Sequence, residues 1–307
     1  MEITLNMKFT KYIFVSFVTL IVISFIYWKF TNYEKGRIHY TTSEEFNDYW
    51  YSGEAEITSY QLLQARYGEL RQGKATLIYV TEPFLKEKQV KPNNPNKRGI
   101  TVLKLNTSKN FVTGIYPYHI MNSTFYPLSY QGHAIKIATS VTEWCGQAYT
   151  QLNNRNLFEI TSHSYFENEA DATYTLPKNI LEDEIWAQIR VAPDKLPIGE
   201  QQIIPSLAYL RLKHIETKAF TAMCKVEKNK KSTTYSIHYP DLERTLAITF
   251  QSAFPYAIEE WEESYKSGFG KEAKIITSSA KKIKTIRTAY WEKNATSDVS
   301  LRDTLGL

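Results

Sequence analysis

Two neighbouring segments of the chain alternate apolar and polar residues with a period of two. Residues 235–239 place Tyr or Ile at every second position, and residues 246–250 do the same with Leu, Ile and Phe. This period puts successive side chains on opposite faces of a strand. Pro240 and Asp241 stand between the segments and are typical turn residues. The pattern predicts a β-hairpin with one buried face.

Similar strand patterns recur along the chain. They predict strands over residues 55–66, 74–81, 103–105, 111–116, 135–141, 145–152 and 158–166. Arg71-Gln72-Gly73 is predicted to form the turn between the first two. Residues 86–99 contain two prolines and three asparagines, which cannot continue a ladder, so they predict a long exposed loop.

Other segments have helical spacing. Leu181, Ile185 and Ile189 lie four residues apart and share a helix face, with Asn179 and Glu182 placed like a capping box. Residues 255–266 predict a second helix because 258, 261 and 265 share a face. A short helix is predicted from Ser43, its cap, to residue 50.

Together these elements predict a mainly β (α+β) protein. We expect residues 1–35 to form an N-terminal membrane anchor or signal segment and residues 36–307 to form one β-rich soluble domain. The connector at 193–199 is the one candidate boundary for a subdivision of that domain. We expect a large, mostly antiparallel, curved sheet with two or three packed helices. The helices near 181–189 and 258–265 are expected against its concave face.

The most apolar segment lies near the N-terminus. Residues 12–28 contain no charge, and lysines precede and follow them. A helix of this length covers roughly 25 Å, at the short end of the range that spans a bilayer. Because no small-x-small cleavage site follows, a retained transmembrane helix is favoured over a cleaved signal peptide. We expect a single-pass cell-membrane protein with its body in the periplasm.

Composition narrows the classes of partner. The formal charge is +5, of which the first 35 residues carry +2, so the remaining body is nearly neutral and has no electrostatic footprint for nucleic acid. Aromatic residues make up 14% of the chain. Strands this rich in aromatic residues cannot all point into one core, so some of them should line a cavity or an interface.

Few residues are arranged for catalysis. The chain has no GxSxG, Walker or GxGxxG motif, and its histidines lack metal-ligand spacing, so no metal or cofactor is predicted. A metal site assembled from different strands would join His119, His133, His163 and Glu143. The acidic runs 182–184 and 259–263 are interpreted as solvated helix faces.

The two cysteines leave several interpretations open. Cys145 and Cys224 have no CxxC spacing, so each is a buried thiol or the two form one disulfide if the body is exported. Cys145 stands beside a glycine, where a nucleophile partnered by a distant histidine is conceivable. A structural cysteine is the favoured interpretation.

Several stretches, residues 49–75, 90–106, 113–128, 143–171 and 284–294, carry a resemblance to a known family. They resemble uncharacterised Bacteroidota cell-envelope proteins, often named septum formation inhibitor Maf, over nearly all of the chain beyond residue 45. Genuine Maf proteins resemble nucleotide pyrophosphatases with a Ser-Pro-Arg-Arg type phosphate-binding motif, which is absent here. Many relatives resemble lipoproteins, whereas this chain has no cysteine before Cys145. The resemblance implies an envelope location and no catalytic residues.

Two classes of function follow. In the first, a non-catalytic envelope protein binds an apolar or amphipathic ligand, or a partner protein, on its curved sheet. Trp186 and Trp261 are the candidate ligand-binding residues, because the predicted helices that carry them face the concave side. The alternative is an enzyme with a site of dispersed residues, including the nucleotide pyrophosphatase activity that the Maf name implies.

Overall fold

The structure is a computed structural model that describes residues 12, 18–24, 40, 42–94 and 99–307. The chain forms two units, residues 1–40 and 41–307, and the connector at 193–199 falls inside the second. In the first unit, residues 12 and 18–24 are helical, and the rest of the predicted anchor over 12–28 lies outside the described residues. Within the described ranges, no helix is long and apolar enough to cross a membrane.

In the described residues of the second unit, fifteen strands form one sheet. They are β1 (Ala55–Arg66), β2 (Glu69–Phe84), β3 (Ile100–Thr113), β4 (Tyr116–Pro127), β5 (Lys136–Glu143), β6 (Gly146–Asn154), β7 (Phe158–Ser164), β8 (Ala172–Leu176), β9 (Ile180–Leu181), β10 (Gly199–Ile204), β11 (Phe220–Lys228), β12 (Ser232–Tyr239), β13 (Arg244–Gln251), β14 (Ile258–Ser267) and β15 (Lys274–Thr288). The helices are α1 (Glu44–Trp50), α2 (Glu182–Val191), α3 (Leu207–Lys213) and α4 (Ser300–Leu305).

The sheet consists of two meanders. Strands β1 to β8 pair in sequence order, β9 to β15 do the same, and pairing of β1 with β15 joins the two halves. The pairings are antiparallel except that of β9 with β10. The prediction of one large, mostly antiparallel, curved sheet with a few helices is confirmed. So is the hairpin of β12 and β13, which brackets the Pro240–Leu242 turn.

One turn near the start of the sheet was predicted at the wrong residues, and one predicted strand is interrupted by a turn. The β1–β2 turn is at Tyr67 and Gly68, both with positive φ, as a two-residue hairpin requires. Gly73 lies inside β2, where a Cβ would come within 2.2 Å of the Asn110 oxygen, so it permits close approach to β3 instead of a turn. The predicted strand 111–116 is interrupted by the β3–β4 turn at Gly114 and residue 115.

The predicted helix over residues 255–266 is wrong, because this segment forms β14. A β-bulge sits at this end of the pairing with β13: Phe250 faces Ile258, while Thr249 faces Glu260. Because the bulge adds one residue to β14, the two neighbouring inward-facing residues, Ile258 and Trp261, are three positions apart instead of two. This spacing resembles that of one helix face. Beyond the bulge, buried positions follow every second residue and include Glu263.

Helix α2 confirms the other helical prediction, with a different start. It begins at Glu182, and its Glu184 carboxylate accepts the N–H of Leu181 at 3.1 Å, while Asn179 lies outside the helix. Helix α1 begins as predicted, since the Ser43 hydroxyl accepts the N–H of Phe46. Helices α3 and α4 were not predicted.

The two faces of the sheet are covered by different elements. We call the face that carries α2 the inner face. On the outer face, Ala55, Ile57 and Val80 form a buried cluster with Leu305 of α4. Glu56, between two of these residues in β1, points to the inner face and meets Arg190 of α2. Because side chains alternate between the faces of β1, the strand contacts helix α4 on the outer face and binds helix α2 through Glu56 on the inner face.

Helix α2 is attached to the sheet by buried ion pairs at both ends. At its C-terminal end, Arg190 Nη1 and Nη2 donate to the two Glu56 carboxylate oxygens at 2.6 and 2.7 Å, and both side chains are at most 3% exposed. At its N-terminal end, Glu182 accepts from Arg244 of β13, whose Nε donates to Glu263 of β14 at 2.8 Å. The ten-residue helix thus bridges both meanders.

Removing one partner of a buried pair should be strongly destabilising. Glu56→Gln leaves the Arg190 charge without its carboxylate, and we expect the free energy of unfolding in urea to fall by about 3–5 kcal/mol. The matched control is Glu260→Gln, which removes an exposed partner of Lys281 at 3.9 Å and should cost roughly 0–1 kcal/mol. Equal effects of the two substitutions would contradict a central role for the Glu56 pair.

Candidate binding cavity

A cavity of about 390 Å³ lies between the inner face of the sheet and helices α2 and α3. Its apolar wall includes Leu105, Ile120, Trp186, Tyr209, Leu246 and Trp261. The exposed residues of its lining, Cys145, His214 and Phe269, belong to the end of the sheet where the β1–β2, β5–β6 and β14–β15 turns lie. We call this end the mouth. The volume falls in the range of pockets that hold small molecules.

Two tryptophans form an aromatic corner in the wall. The rings of Trp186 on α2 and Trp261 on β14 meet edge to face at 5.3 Å, and Tyr60 of β1 lies 4.8 Å from Trp261. The structure therefore brings both predicted ligand-binding residues to one cavity, although one stands on a strand and not on a helix. Their role in binding a ligand stays a prediction.

The inner end of the cavity is charged. Arg244 is held by Glu182 and Glu263, and the Tyr239 hydroxyl donates to Glu182 at 2.7 Å. The Arg244 guanidinium lowers the pKa of Glu263 against the effect of burial, which acts in the opposite direction. The lowered pKa favours the ionised form of Glu263, and both carboxylates are paired with Arg244.

Asp183 differs from Glu182 because no cationic side chain among the described residues pairs with it. Its Oδ2 accepts the N–H of Leu207, the first residue of α3, at 3.1 Å. Burial, with the Glu182 charge beside it, raises the pKa of Asp183 to about 6, and hydrogen bonds from Leu207, Ser206 and Asn122 oppose the rise. Asp183 thus ties α2 to α3 and titrates near neutral pH.

The mouth carries a different kind of arginine. Arg66, the last residue of β1, donates from Nη1 to the Leu212 carbonyl at 2.7 Å and from Nη2 to the hydroxyls of Tyr67 and Tyr118 at 3.1 Å each. The guanidinium also lies 4.2 Å from the centre of the Tyr67 ring. These partners are neutral.

Arg211 and Lys213, two cations of helix α3, also lie near Arg66. Arg211 donates to Glu169 at 3.0 Å, and Lys213 donates to the Lys266 carbonyl at 2.7 Å. Burial lowers the pKa of Lys213, and the charge of Arg66 lowers it further. Like charges therefore repel each other at the mouth in the absence of a ligand.

A buried acceptor also borders the cavity. Gln64 is 1% exposed, and its amide nitrogen donates to the Tyr265 hydroxyl at 3.0 Å. Its Oε1 has no hydrogen-bond partner among the described residues. A buried polar atom left unpaired is costly, so this oxygen favours a donor from water or a ligand in the cavity.

The histidines considered for a metal site are not brought together. His119 contacts Asn110, His133 contacts Glu184, and His163 contacts Asp171. Over the described ranges, no three His, Cys, Asp or Glu side chains are grouped as metal ligands.

The two cysteines are free thiols in different surroundings. Cys145 is exposed in the turn between β5 and β6, and Cys224 is buried in β11. A hydrogen bond to Glu143 raises the pKa of Cys145. A nucleophilic cysteine needs the opposite shift, so this arrangement does not support a catalytic role.

The interpretation of the acidic runs as solvated faces is wrong for the residues that matter here. Glu182, Asp183, Glu184 and Glu263 are all at most 7% exposed. Helix geometry gave no signal for this, because the three positions between Leu181 and Ile185 lie off the face that these two residues share. Arg244, the cationic partner of Glu182 and Glu263, is distant from both in sequence and could not be identified.

Comparisons with known proteins do not identify a family. No protein-family model matches the sequence, and no curated protein matches it. A crystal structure of a β-barrel-like protein with the DUF1849 domain of unknown function, from Brucella abortus, has a TM-score of 0.46 and 8% identity, covering 76% of this chain and 96% of that one. A porin-like protein from Bacteroides uniformis has a TM-score of 0.20 and 10% identity, covering 75% and 95%. Neither likeness transfers a function.

The titration of Asp183 should appear in the pH dependence of stability. A carboxyl group whose pKa is raised on folding stabilises the protein at low pH and loses that contribution as pH rises through about 6. Between about pH 4 and 7, we expect the free energy of unfolding of Asp183→Asn to gain up to roughly 3 kcal/mol relative to the unmodified protein. Urea denaturation at several pH values measures this.

The matched control is Asp194→Asn, which removes an exposed aspartate just after the same helix. It should not change the pH dependence of stability. A stability difference between Asp183→Asn and the unmodified protein that stays constant over this pH range would contradict the assignment.

The thiols should differ in reactivity. Native protein should react with Ellman's reagent at Cys145 only, because Cys224 is 2% exposed, and both thiols should react in denaturant. Cys145→Ser should abolish the native reaction. If protein secreted to an oxidising compartment has no reactive thiol even in denaturant, the two cysteines are disulfide-bonded there and this placement of Cys145 is wrong.

Proposed function

We propose that this protein is a non-catalytic binding protein of the cell envelope that holds a small amphipathic molecule in the cavity. The observation that carries the proposal is the unfilled space of about 390 Å³ under α2 and α3, with an aromatic wall and polar groups at both ends. Interiors normally pack without such voids. A cavity of this size and mixed lining is typical of a ligand site.

The location is part of the same proposal. We expect residues 12–28 to anchor the chain in the cell membrane, with the β-rich body on the periplasmic side. The support comes from the uncharged segment in the sequence and from the lysines on either side of it. A short-chain amphipathic ligand would fit this setting, because it can partition between a membrane and a protein cavity.

The alternative of an enzyme with dispersed residues has less support. Two of the inner carboxylates, Glu182 and Glu263, are engaged by Arg244, and Asp183 is held by Leu207. These groups stabilise the attachment of α2 and α3 to the sheet. Binding of a partner protein remains the other candidate, and the experiment on the cavity separates the two.

The cavity should hold a co-purified small molecule or bind an added one. Native mass spectrometry of gently purified protein should show a bound small molecule, and 1-decanol should change the fluorescence of the cavity tryptophans. Ala208→Phe, which places a ring in the cavity from α3, should weaken decanol binding by roughly tenfold or more through overpacking.

Ala247→Phe is the matched control, because Ala247 follows the cavity residue Leu246 in β13 and points to the other face. It should leave binding unchanged. Ligand-free mass spectra together with no decanol binding would rule out the cavity as a ligand site and favour partner binding.

A further inference from the structure

We infer that the ligand of the cavity is an amphipathic anion whose carboxylate or phosphate head binds Arg66 at the mouth, while its apolar part lies against Trp186 and Trp261. This inference rests on the proposed function. It adds the chemical class of the ligand and the residue that recognises it.

The first step is a contrast among the arginines of the inner face. Arg190 is paired with the Glu56 carboxylate, and Arg244 with those of Glu182 and Glu263. Arg66, which is partly buried, contacts a carbonyl and two tyrosine hydroxyls, and no described carboxylate lies within ion-pair distance of it. A buried charge is normally paired, so the partner of Arg66 is expected to come from the ligand.

The guanidinium has hydrogen-bonding capacity left for that partner. Of its five N–H groups, three donate in the structure, which leaves one Nη1 N–H, while the Nε is buried and has no acceptor among the described residues. Contacts with the Tyr67 and Tyr118 rings hold the planar group in place. A guanidinium with free donors and a fixed orientation suits the planar or tetrahedral oxygens of a carboxylate or phosphate.

The surrounding charges favour an anion. Burial lowers the pKa of Arg211, and the charge of Arg66 lowers it further against the opposing effect of Glu169. Burial and then the charge of Arg66 also lower the pKa of Lys213. The acids at the mouth already have donors: Glu169 accepts from Arg211 and His214, and Glu143 accepts the Cys145 N–H at 2.7 Å. An anionic head would relieve repulsion among the three cations.

The strand register sets the direction of the ligand. Trp261 is paired with Ala280, which is paired with Leu62 of β1, so Trp261 lies at the level of Leu62. Arg66 is four residues further along β1, which is about 13 Å at roughly 3.3 Å per residue. The head-binding group and the aromatic corner are thus at opposite ends of one strand segment. A linear amphiphile placed between them keeps its charge at the mouth and its chain inside.

The test compares ten-carbon probes that differ only in the head. Binding of decanoate, decyl phosphate, 1-decanol and decyltrimethylammonium to the full chain is measured by tryptophan fluorescence and calorimetry at a pH where decanoate is ionised. We expect the two anions to bind about tenfold or more tightly than decanol, as for a charge-assisted hydrogen bond, and the cation to bind most weakly. Inorganic phosphate, which lacks the chain, should compete only weakly.

Substitutions then locate the head. Arg66→Gln should lower the affinity for both anions by roughly tenfold to a hundredfold and leave decanol within about twofold. Arg66→Lys should retain part of the anion preference because it keeps the charge. Lys109→Gln is the matched control: Lys109 lines the same cavity near the Trp261 ring, and its loss should not remove the anion preference. Thermal melting checks that each variant is folded.

The outcomes separate this inference from the proposed function. If decanol binds as tightly as decanoate, or if Lys109→Gln and not Arg66→Gln removes the preference, the assignment of Arg66 is overturned while the cavity remains a ligand site. A preference for the cation would overturn it in favour of the inner carboxylates. If no probe binds, decanol included, the proposed function fails as well.

Discussion

The attachment of helix α2 by carboxylate–guanidinium pairs is the interaction on which the inner face depends. Glu182 and Arg190, eight residues apart, reach β13 and β1 respectively, which belong to different meanders. Charges buried this deeply stabilise little by themselves, because their desolvation offsets most of the Coulomb attraction. Breaking one pair is nevertheless costly, so the two pairs specify where the helix can lie.

This placement also makes α2 one wall of the cavity. Ile185, Ala187 and Ile189 of the helix are buried, while Trp186 in its middle meets Trp261 edge to face at the cavity wall. Helix α3 closes one side through the contact of Asp183 with Leu207. At the inner end, Arg244 is thus paired with Glu182 and Glu263, whereas Arg66 at the mouth has no carboxylate partner among the described residues. This difference between the two ends is why the proposed ligand would place its anionic head at the mouth.

The predictions from sequence were accurate where one local rule operates alone. The period-two alternation of β12 and β13 and the cap at Ser43 depend on neighbouring residues, and both are confirmed. Errors appeared where a distant residue changed the meaning of a local pattern. The bulge near Ile258 produced a false helical period, and Glu263 looked exposed because its partner Arg244 stands on another strand. The structure places Trp186 and Trp261 in the lining of one cavity, although Trp261 stands on a strand where a helix was predicted, and their role in binding a ligand stays a prediction.

The sequence by itself determined the mainly β character of the body, the position of α2, the absence of standard catalytic motifs and an uncharged N-terminal segment. These properties follow from composition and from spacing over a few residues, which act before the chain is folded. Only the tertiary structure decided which acids are buried, which arginines have carboxylate partners and where the cavity opens. Those facts depend on the pairing of β1 with β15, which joins residues more than two hundred positions apart, and no local pattern encodes such a contact.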